Sequence, residues 1–368
     1  MDCNRRDLLR MLACSAAACP MLEAARAAAA VGREHEALHW KDAGEKRVEC
    51  QLCPNRCVIA DRERGTCGVR ENKDGKLHTL VYGNPCSLNN DPIEKKPLFH
   101  FRPGSKAFSL ATAGCNIECR FCQNWQISQF RPEQVPSREV MPAEIVRHAE
   151  RLGSKAIAFT YSEPVIFYEY MKGICLAAKG SGIGRVMISN GYIEPKPMKE
   201  LLPHLDAVKV DFKAFSESFY RDLCSAHLRP VLDTLVRIKE HGTWLEMVML
   251  VIPTMNDSPA ELKAMSRWIV QKLGPDVPIH FTRFHPMYKL KNLPPTPVTT
   301  LERAREIALE AGLHFAYAGN VPGHPGENTL CPECGKTLIE RDGYRIRNNG
   351  LENGRCPSCK TPIPGVWK

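Results

Sequence analysis

Three cysteines fall within one short loop, Gly114-Cys115-Asn116-Ile117-Glu118-Cys119-Arg120-Phe121-Cys122, spaced Cys-x3-Cys-x2-Cys. Three soft thiolates this close together suit an iron–sulfur cluster. A four-iron cluster held by three side chains keeps one iron open, and an open position separates a reactive metal centre from a structural one. The alternative is an incomplete zinc site completed by a distant fourth ligand. Two further groups carry four thiols each. Cys331, Cys334, Cys356 and Cys359 form two Cys-x2-Cys knuckles separated by 21 residues, the closed tetrahedral set that holds zinc. Between them, residues 338–340 and 344–346 flank Asp342-Gly343, a hairpin signal, so a zinc ribbon is expected. Cys50, Cys53, Cys57 and Cys67 are spaced Cys-x2-Cys-x3-Cys-x9-Cys. They could hold zinc or a second iron–sulfur cluster; the spacing leaves both open, with structural zinc the favoured expectation. Cys86, Cys175 and Cys224 stand alone and are expected to act as small apolar residues.

These groups need a scaffold. From residue 106 onward, short apolar runs alternate with helical spacing. Strands are expected at 107–112, 156–161, 185–189, 207–212, 244–252, 279–284 and 314–318. Helices are expected at 142–152, 165–179, 197–202, 229–241, 259–272 and 300–311. That alternation signals βα units on a parallel sheet. The polar residues gather just past the strand ends: Cys115, Glu163, Ser189-Asn190, Asp211 and Lys213, Asn256-Asp257 and His285. This is how the active face of a βα barrel is built. Fewer than eight units are visible, so the fold class is α/β, a partial TIM-type (β/α) barrel. The expected organisation is a leader over 1–31, an N-terminal Cys-rich module over 32–103, the barrel over 104–320 and the ribbon-like tail over 321–368.

The chain has 368 residues, with 43% hydrophobic and 25% charged, which excludes global disorder and a collagen-like fibre. Its net charge of +9 is spread without a long basic run, so nucleic acid is not the expected partner. Seventeen cysteines, mostly clustered two or three residues apart, read as metal ligands rather than disulfides and point to a reducing compartment. The N-terminus pulls the other way. Asn4-Arg5-Arg6-Asp7-Leu8-Leu9-Arg10 precedes an Ala-rich apolar run, the pattern of a twin-arginine export signal. Pro20, Glu23 and Arg26 interrupt that run well short of the ~20 apolar residues of a membrane span. Cytoplasmic placement is expected, with a periplasmic location through the leader as the alternative.

The three-Cys loop, with Phe121 before its last cysteine, resembles the radical S-adenosylmethionine (SAM) superfamily. The wider context resembles the AmmeMemoRadiSam-system radical SAM enzymes, relatives of the pyruvate formate-lyase activating enzymes. The stretches that carry this are Cys50-Gln51-Leu52-Cys53-Pro54, Cys67-Gly68-Val69-Arg70, Asp91-Pro92-Ile93-Glu94-Lys95-Lys96-Pro97, Cys122-Gln123-Asn124-Trp125, Phe284-His285-Pro286-Met287-Tyr288 and Asn320-Val321-Pro322-Gly323. The resemblance implies a [4Fe-4S] cluster on Cys115, Cys119 and Cys122 whose open iron chelates SAM. One electron then cleaves the sulfonium to methionine and a 5′-deoxyadenosyl radical, which takes hydrogen from a substrate it does not name.

The resemblance places Ser162-Glu163-Pro164 where the superfamily holds the SAM amino group, with Glu163 accepting from the ammonium. Ser189 and Asn190 suit ribose or carboxylate contacts. Asp211 and Lys213, two apart on a strand, project the same way into the barrel, either toward a bound zwitterion or as an internal salt bridge. His285 faces substrate or is a structural histidine. The implied partners are an electron donor such as flavodoxin or ferredoxin, and Memo-type and AMMECR-type proteins as separate chains. Two rival functions stay open: an activase that makes a glycyl radical on a partner protein, and a non-catalytic metal-binding adaptor.

Overall fold

The computed structural model describes residues 35–368, and the leader expected over 1–31 lies outside them. Eight strands form one sheet: β1 (Ser87–Pro92), β2 (Lys106–Ala111), β3 (Ala156–Phe159), β4 (Gly184–Ser189), β5 (Ala207–Asp211), β6 (Trp244–Val251), β7 (Ile279–Arg283) and β8 (Ala316–Gly319). They lie side by side in chain order. β2 to β8 are parallel, and β1 runs antiparallel along the β2 edge. β2, β3, β5 and β7 are buried along almost their whole length, as a sheet covered on both faces requires.

The helices are α1 (Trp125–Ser128), α2 (Pro142–Arg151), α3 (Tyr168–Ala177), α4 (Pro195–Leu201), α5 (Glu217–Cys224), α6 (Leu228–His241), α7 (Pro259–Leu273) and α8 (Val298–Glu310). Their starts are local chemistry. Ser216 and Ser258 cap α5 and α7 by accepting from Phe219 N and Glu261 N, and α7 opens on Pro259. α6 ends on Gly242 at φ +84°. The strands and longer helices sit within a few residues of the sequence expectation. Three elements of the barrel were not expected: β1, α1 and α5.

Before the barrel, two small antiparallel sheets carry the first four-Cys group. One is built from His35–Glu36, Arg70–Lys73 and Lys76–Thr79, the other from Trp40–Asp42, Val48–Cys50 and Val58–Ile59. After it, β9 (Thr329–Leu330), β10 (Thr337–Asp342) and β11 (Arg345–Asn349) form a three-stranded antiparallel sheet. The β10–β11 hairpin turns at Gly343-Tyr344, directly after Asp342, with Gly343 at φ +58°.

The tail shares a core with the barrel: Phe99, Phe315 and Tyr317 pack with Cys331, Leu338, Ile339, Cys356 and Ile363. A polar chain runs through this contact. Arg341 donates to Thr329 Oγ1 at 2.8 Å; the Thr329 and Tyr317 hydroxyls are 3.0 Å apart; Tyr317 reaches His100 Nε2 at 2.6 Å; and His100 Nδ1 is 2.7 Å from Pro364 O. A carbonyl accepts only, so Nδ1 carries a proton, and in the neutral ring of His100 Nε2 accepts from the Tyr317 hydroxyl. Burial lowers the His100 pKa to about 4, helped by Arg341 and His280 and opposed by Glu246 and the Pro364 carbonyl.

Between pH 6.5 and about 4 the unfolded chain binds a proton here that the fold refuses, so stability is complete above this window and falls as pH drops through it. The expected loss is about 3 kcal/mol across the window. Anaerobic urea melts at pH 7.5 and pH 4.5 check it. A His100→Gln variant with the same acid sensitivity as the parent would contradict the assignment.

No helix among the described residues is long and apolar enough to cross a membrane.

Candidate active site

The three-Cys loop follows β2 directly, and its backbone is pinned from four sides. Gly114 N donates to Ile127 O at 2.8 Å. Glu118 N and Arg120 N donate to Cys224 O and Leu223 O at the end of α5, at 2.8 and 2.9 Å. Asn55 Nδ2 donates to Asn116 O at 2.7 Å, and Lys289 N to Arg120 O at 2.9 Å. These bonds leave all three thiols facing one cavity of about 410 Å³ at the C-terminal ends of the strands. Each thiol has its own neighbour. Cys115 Sγ is 3.9 Å from Asn190 Nδ2, Cys122 Sγ is 3.1 Å from Ser128 Oγ, and Cys119 is hydrogen-bonded by the Cys224 thiol. That last bond holds Cys119 below the ordinary thiol range, while burial pushes Cys115 and Cys122 up.

Glu163 lines the same cavity, 2% exposed. Oε1 accepts from Ser189 Oγ at 2.7 Å and Val165 N at 3.0 Å, and Oε2 from Asn190 N at 2.8 Å. Burial pushes its carboxyl up to about 7 against those three bonds. A cation in the cavity would meet a carboxylate already fixed in direction. Asn190 also lines the cavity, donating to Asn116 Oδ1 at 2.8 Å and accepting from Tyr192 N at 2.8 Å. Ser189 differs from expectation. Its hydroxyl is spent on Glu163 and accepts from Gly191 N, and it stands behind the cavity wall rather than in it. Ser162 lines the cavity and donates to Thr112 O at 2.7 Å.

Asp211 and Lys213 both reach the cavity, and Lys209 joins them. Lys209 and Lys213 both pair with Asp211, Lys213 at 3.4 Å. Two cations on one carboxylate hold Asp211 below its usual range despite burial. They also leave one positive charge over. A second unit repeats the arrangement in the same cavity wall. Asp91 takes Lys95 at 3.0 Å, Lys96 at 2.6 Å and the Tyr161 hydroxyl. Lys95, Lys96 and Tyr161 all line the wall, as does Tyr344 from the tail hairpin. Lys209 was missed in the sequence, although the alternation Lys209, Asp211, Lys213 marks all three for one face. His285 is exposed and outside the cavity lining, so it neither faces the site nor is buried structurally.

The other thiols fall into two places. In the tail, the four Sγ atoms of Cys331, Cys334, Cys356 and Cys359 lie within 4.8 Å of one another. Cys331–Cys359 and Cys334–Cys356 are 3.5 and 3.7 Å apart. In the N-terminal module, Cys50, Cys53, Cys57 and Cys67 line one small void together with Arg70.

A model of the radical SAM superfamily matches residues 109–265, the stretch holding the three-Cys loop, Glu163 and the Lys209–Lys213 unit. An uncharacterized protein of Methanocaldococcus jannaschii is 47% identical over 330 residues, covering 89% of this chain and 98% of that protein. The pyruvate formate-lyase-activating enzyme of Clostridium pasteurianum is 22% identical over 159 residues, covering 42% of this chain and 66% of that protein. Among solved structures, a radical SAM methyltransferase from Sphaerobacter thermophilus aligns with 17% identity and a TM-score of 0.47, covering 62% of this chain and 71% of that one. The chain belongs to the radical SAM superfamily.

Proposed function

We propose that the chain is an enzyme in which Cys115, Cys119 and Cys122 hold a [4Fe-4S] cluster and the adjoining cavity takes SAM. The single observation that supports it is the convergence of these three thiols with Glu163, Asn190, Asp211 and Lys213 on one cavity. The donor set fits: three thiolates on a pinned loop leave a cluster one open iron. When bound, cluster and SAM together supply the 5′-deoxyadenosyl radical that abstracts hydrogen from a substrate. The protein's own residues bind, orient and exclude. Glu163, held by Ser189 and two backbone N–H groups, accepts from the SAM ammonium. Lys213, half-buried beside Asp211, offers its charge to the carboxylate. Phe121, Ile188, Val248 and Leu250 keep water from the reacting space.

The test is anaerobic reconstitution with iron, sulfide, dithionite and SAM. 5′-Deoxyadenosine should appear slowly even without substrate, and its absence from a protein carrying four irons on this loop would overturn the reading.

A second reading, activation of a partner protein through a glycyl radical, is favoured by the relative named as a pyruvate formate-lyase-activating enzyme. A glycyl radical on a co-purified partner would select it. Memo-type and AMMECR-type proteins are proposed companions, and a flavodoxin or ferredoxin the proposed reductant. SAM and such reductants are cytosolic, so catalysis is placed in the cytoplasm.

The tail quartet is proposed to bind zinc as a ribbon, since a zinc tetrahedron with bonds of about 2.3 Å has sulfurs about 3.8 Å apart. Cys356→Ala is expected to release one zinc equivalent and to strip hydrogen-exchange protection from residues 330–368, while the three-Cys loop keeps its iron. Loss of that iron in the same variant would mean that the tail supplies a cluster ligand.

A further inference from the structure

The two four-thiol groups differ in a way that bears on what each holds. Among the described residues, only the tail quartet brings its sulfurs all within 4.8 Å of one another. Cys50, Cys53, Cys57 and Cys67 surround a common void without being gathered within 4.8 Å of one another, whereas one zinc ion's tetrahedron has an edge of about 3.8 Å. In a four-iron cluster each iron takes its own cysteine, and in a two-iron cluster each iron takes two, so the thiolates are spread around the metal core instead of meeting at one atom.

A second observation concerns Arg70, 2% exposed and lining the same void. Its Nη2 is used, donating to Glu169 Oε1 at 2.9 Å and to Leu38 O. Its Nε and Nη1 have no hydrogen-bond partner. The single N–H on Nε and the two on Nη1 are thus buried without acceptors, their lost hydration uncompensated. A sulfur-rich anion in the void would satisfy both nitrogens. Bridging sulfides add acceptors beyond the four thiolates, which a lone zinc ion does not.

A third is position. The Cys53–Cys57 segment and Cys67 are built onto the three-Cys loop: Asn55 donates to Asn116 O, and a Cβ on Gly114 would come within 2.7 Å of Cys67 O. Val165 and Ile166, which follow Glu163 directly, close the void from the barrel side.

We propose that Cys50, Cys53, Cys57 and Cys67 bind an iron–sulfur cluster, with Arg70 donating to its sulfurs, rather than the structural zinc that four thiols would otherwise suggest. This does not depend on SAM chemistry, and its test removes the three-Cys loop from the count.

The full chain carrying Cys115→Ala, Cys119→Ala and Cys122→Ala is reconstituted anaerobically with iron and sulfide in the presence of zinc. Iron, acid-labile sulfide and zinc are then measured. The expected result is retained iron and labile sulfide at a near-equal ratio, with a single zinc equivalent. Adding Cys57→Ala should remove the iron and sulfide and leave the zinc. Two zinc equivalents with no labile sulfide, or no metal beyond the tail's, would overturn the proposal. Should the triple variant not fold, Cys57→Ala alone in the otherwise intact chain decides. Part of the parent's iron and sulfide must be lost with the zinc content unchanged; a loss of zinc with iron unchanged overturns it.

Discussion

Cys119→Ala is expected to abolish both the broad visible absorbance of the reconstituted cluster and the cleavage of SAM. The loop backbone has reasons to survive the change, because the carbonyls of Leu223 and Cys224 hold Glu118 N and Arg120 N whatever the side chain at 119. What disappears is one of three ligands. Replacing groups that merely support a metal ligand costs about 10–100-fold, so removing the ligand itself must exceed that. Cys224→Ser is the control. It disturbs only the thiol that hydrogen-bonds Cys119, and it should keep the iron with activity lowered by about 10-fold. Residual SAM cleavage in Cys119→Ala above that of Cys224→Ser would remove Cys119 from the site.

Gly114→Ala is expected to have the second largest effect, on stability and iron content together. Gly114 sits at φ +98°, where an L side chain is strained, and its Cβ would come 2.7 Å from both Cys67 O and Val69 Cγ1. Strain and overpacking together cost about 2–5 kcal/mol. The chain can relieve this only by separating the N-terminal module from the three-Cys loop, so cluster loading should fall as well. Gly153→Ala isolates the backbone part, since Gly153 has φ +65° and nothing within 4 Å of the added carbon. It should cost about 1 kcal/mol and no iron. Equal melting midpoints for the two variants would show that the contact with Cys67 is not tight.

What the sequence revealed and what it hid follow from range. The parallel strands of the sheet and the three-Cys loop are local signals, an apolar period and a spacing, and they stand where expected. α5 was local too. Ser216, Phe219, Tyr220, Leu223 and Cys224 carry a cap and an apolar face, and the lack of Gly or Pro punctuation around them hid it. β1 could not be found this way, because Ser87–Pro92 is polar and becomes a strand only by pairing with β2. The Lys95–Asp91–Lys96 unit was visible only as part of a resemblance. Its place in the cavity wall depends on Tyr161, 70 positions away, and no periodicity announces that. Ser189 was expected to touch a ligand. It sits instead behind Glu163, a distinction that only the side-chain packing draws.

The polar chain ending at Pro364 also sets an order of assembly. His100 waits for an acceptor 264 residues later, and the neighbouring backbone of His100 and Arg102 pairs with Val366. At about 5–20 residues per second, the ribosome needs roughly 10–50 s to deliver that segment. During this time Phe99 and His100 lie open beside a sheet that is otherwise ready to close. Contacts between such distant parts of a chain form late and slow the search for the native state. The junction between barrel and tail is thus the last to be sealed, and a nascent chain halted before residue 364 presents an apolar, unsatisfied face for chaperones to hold.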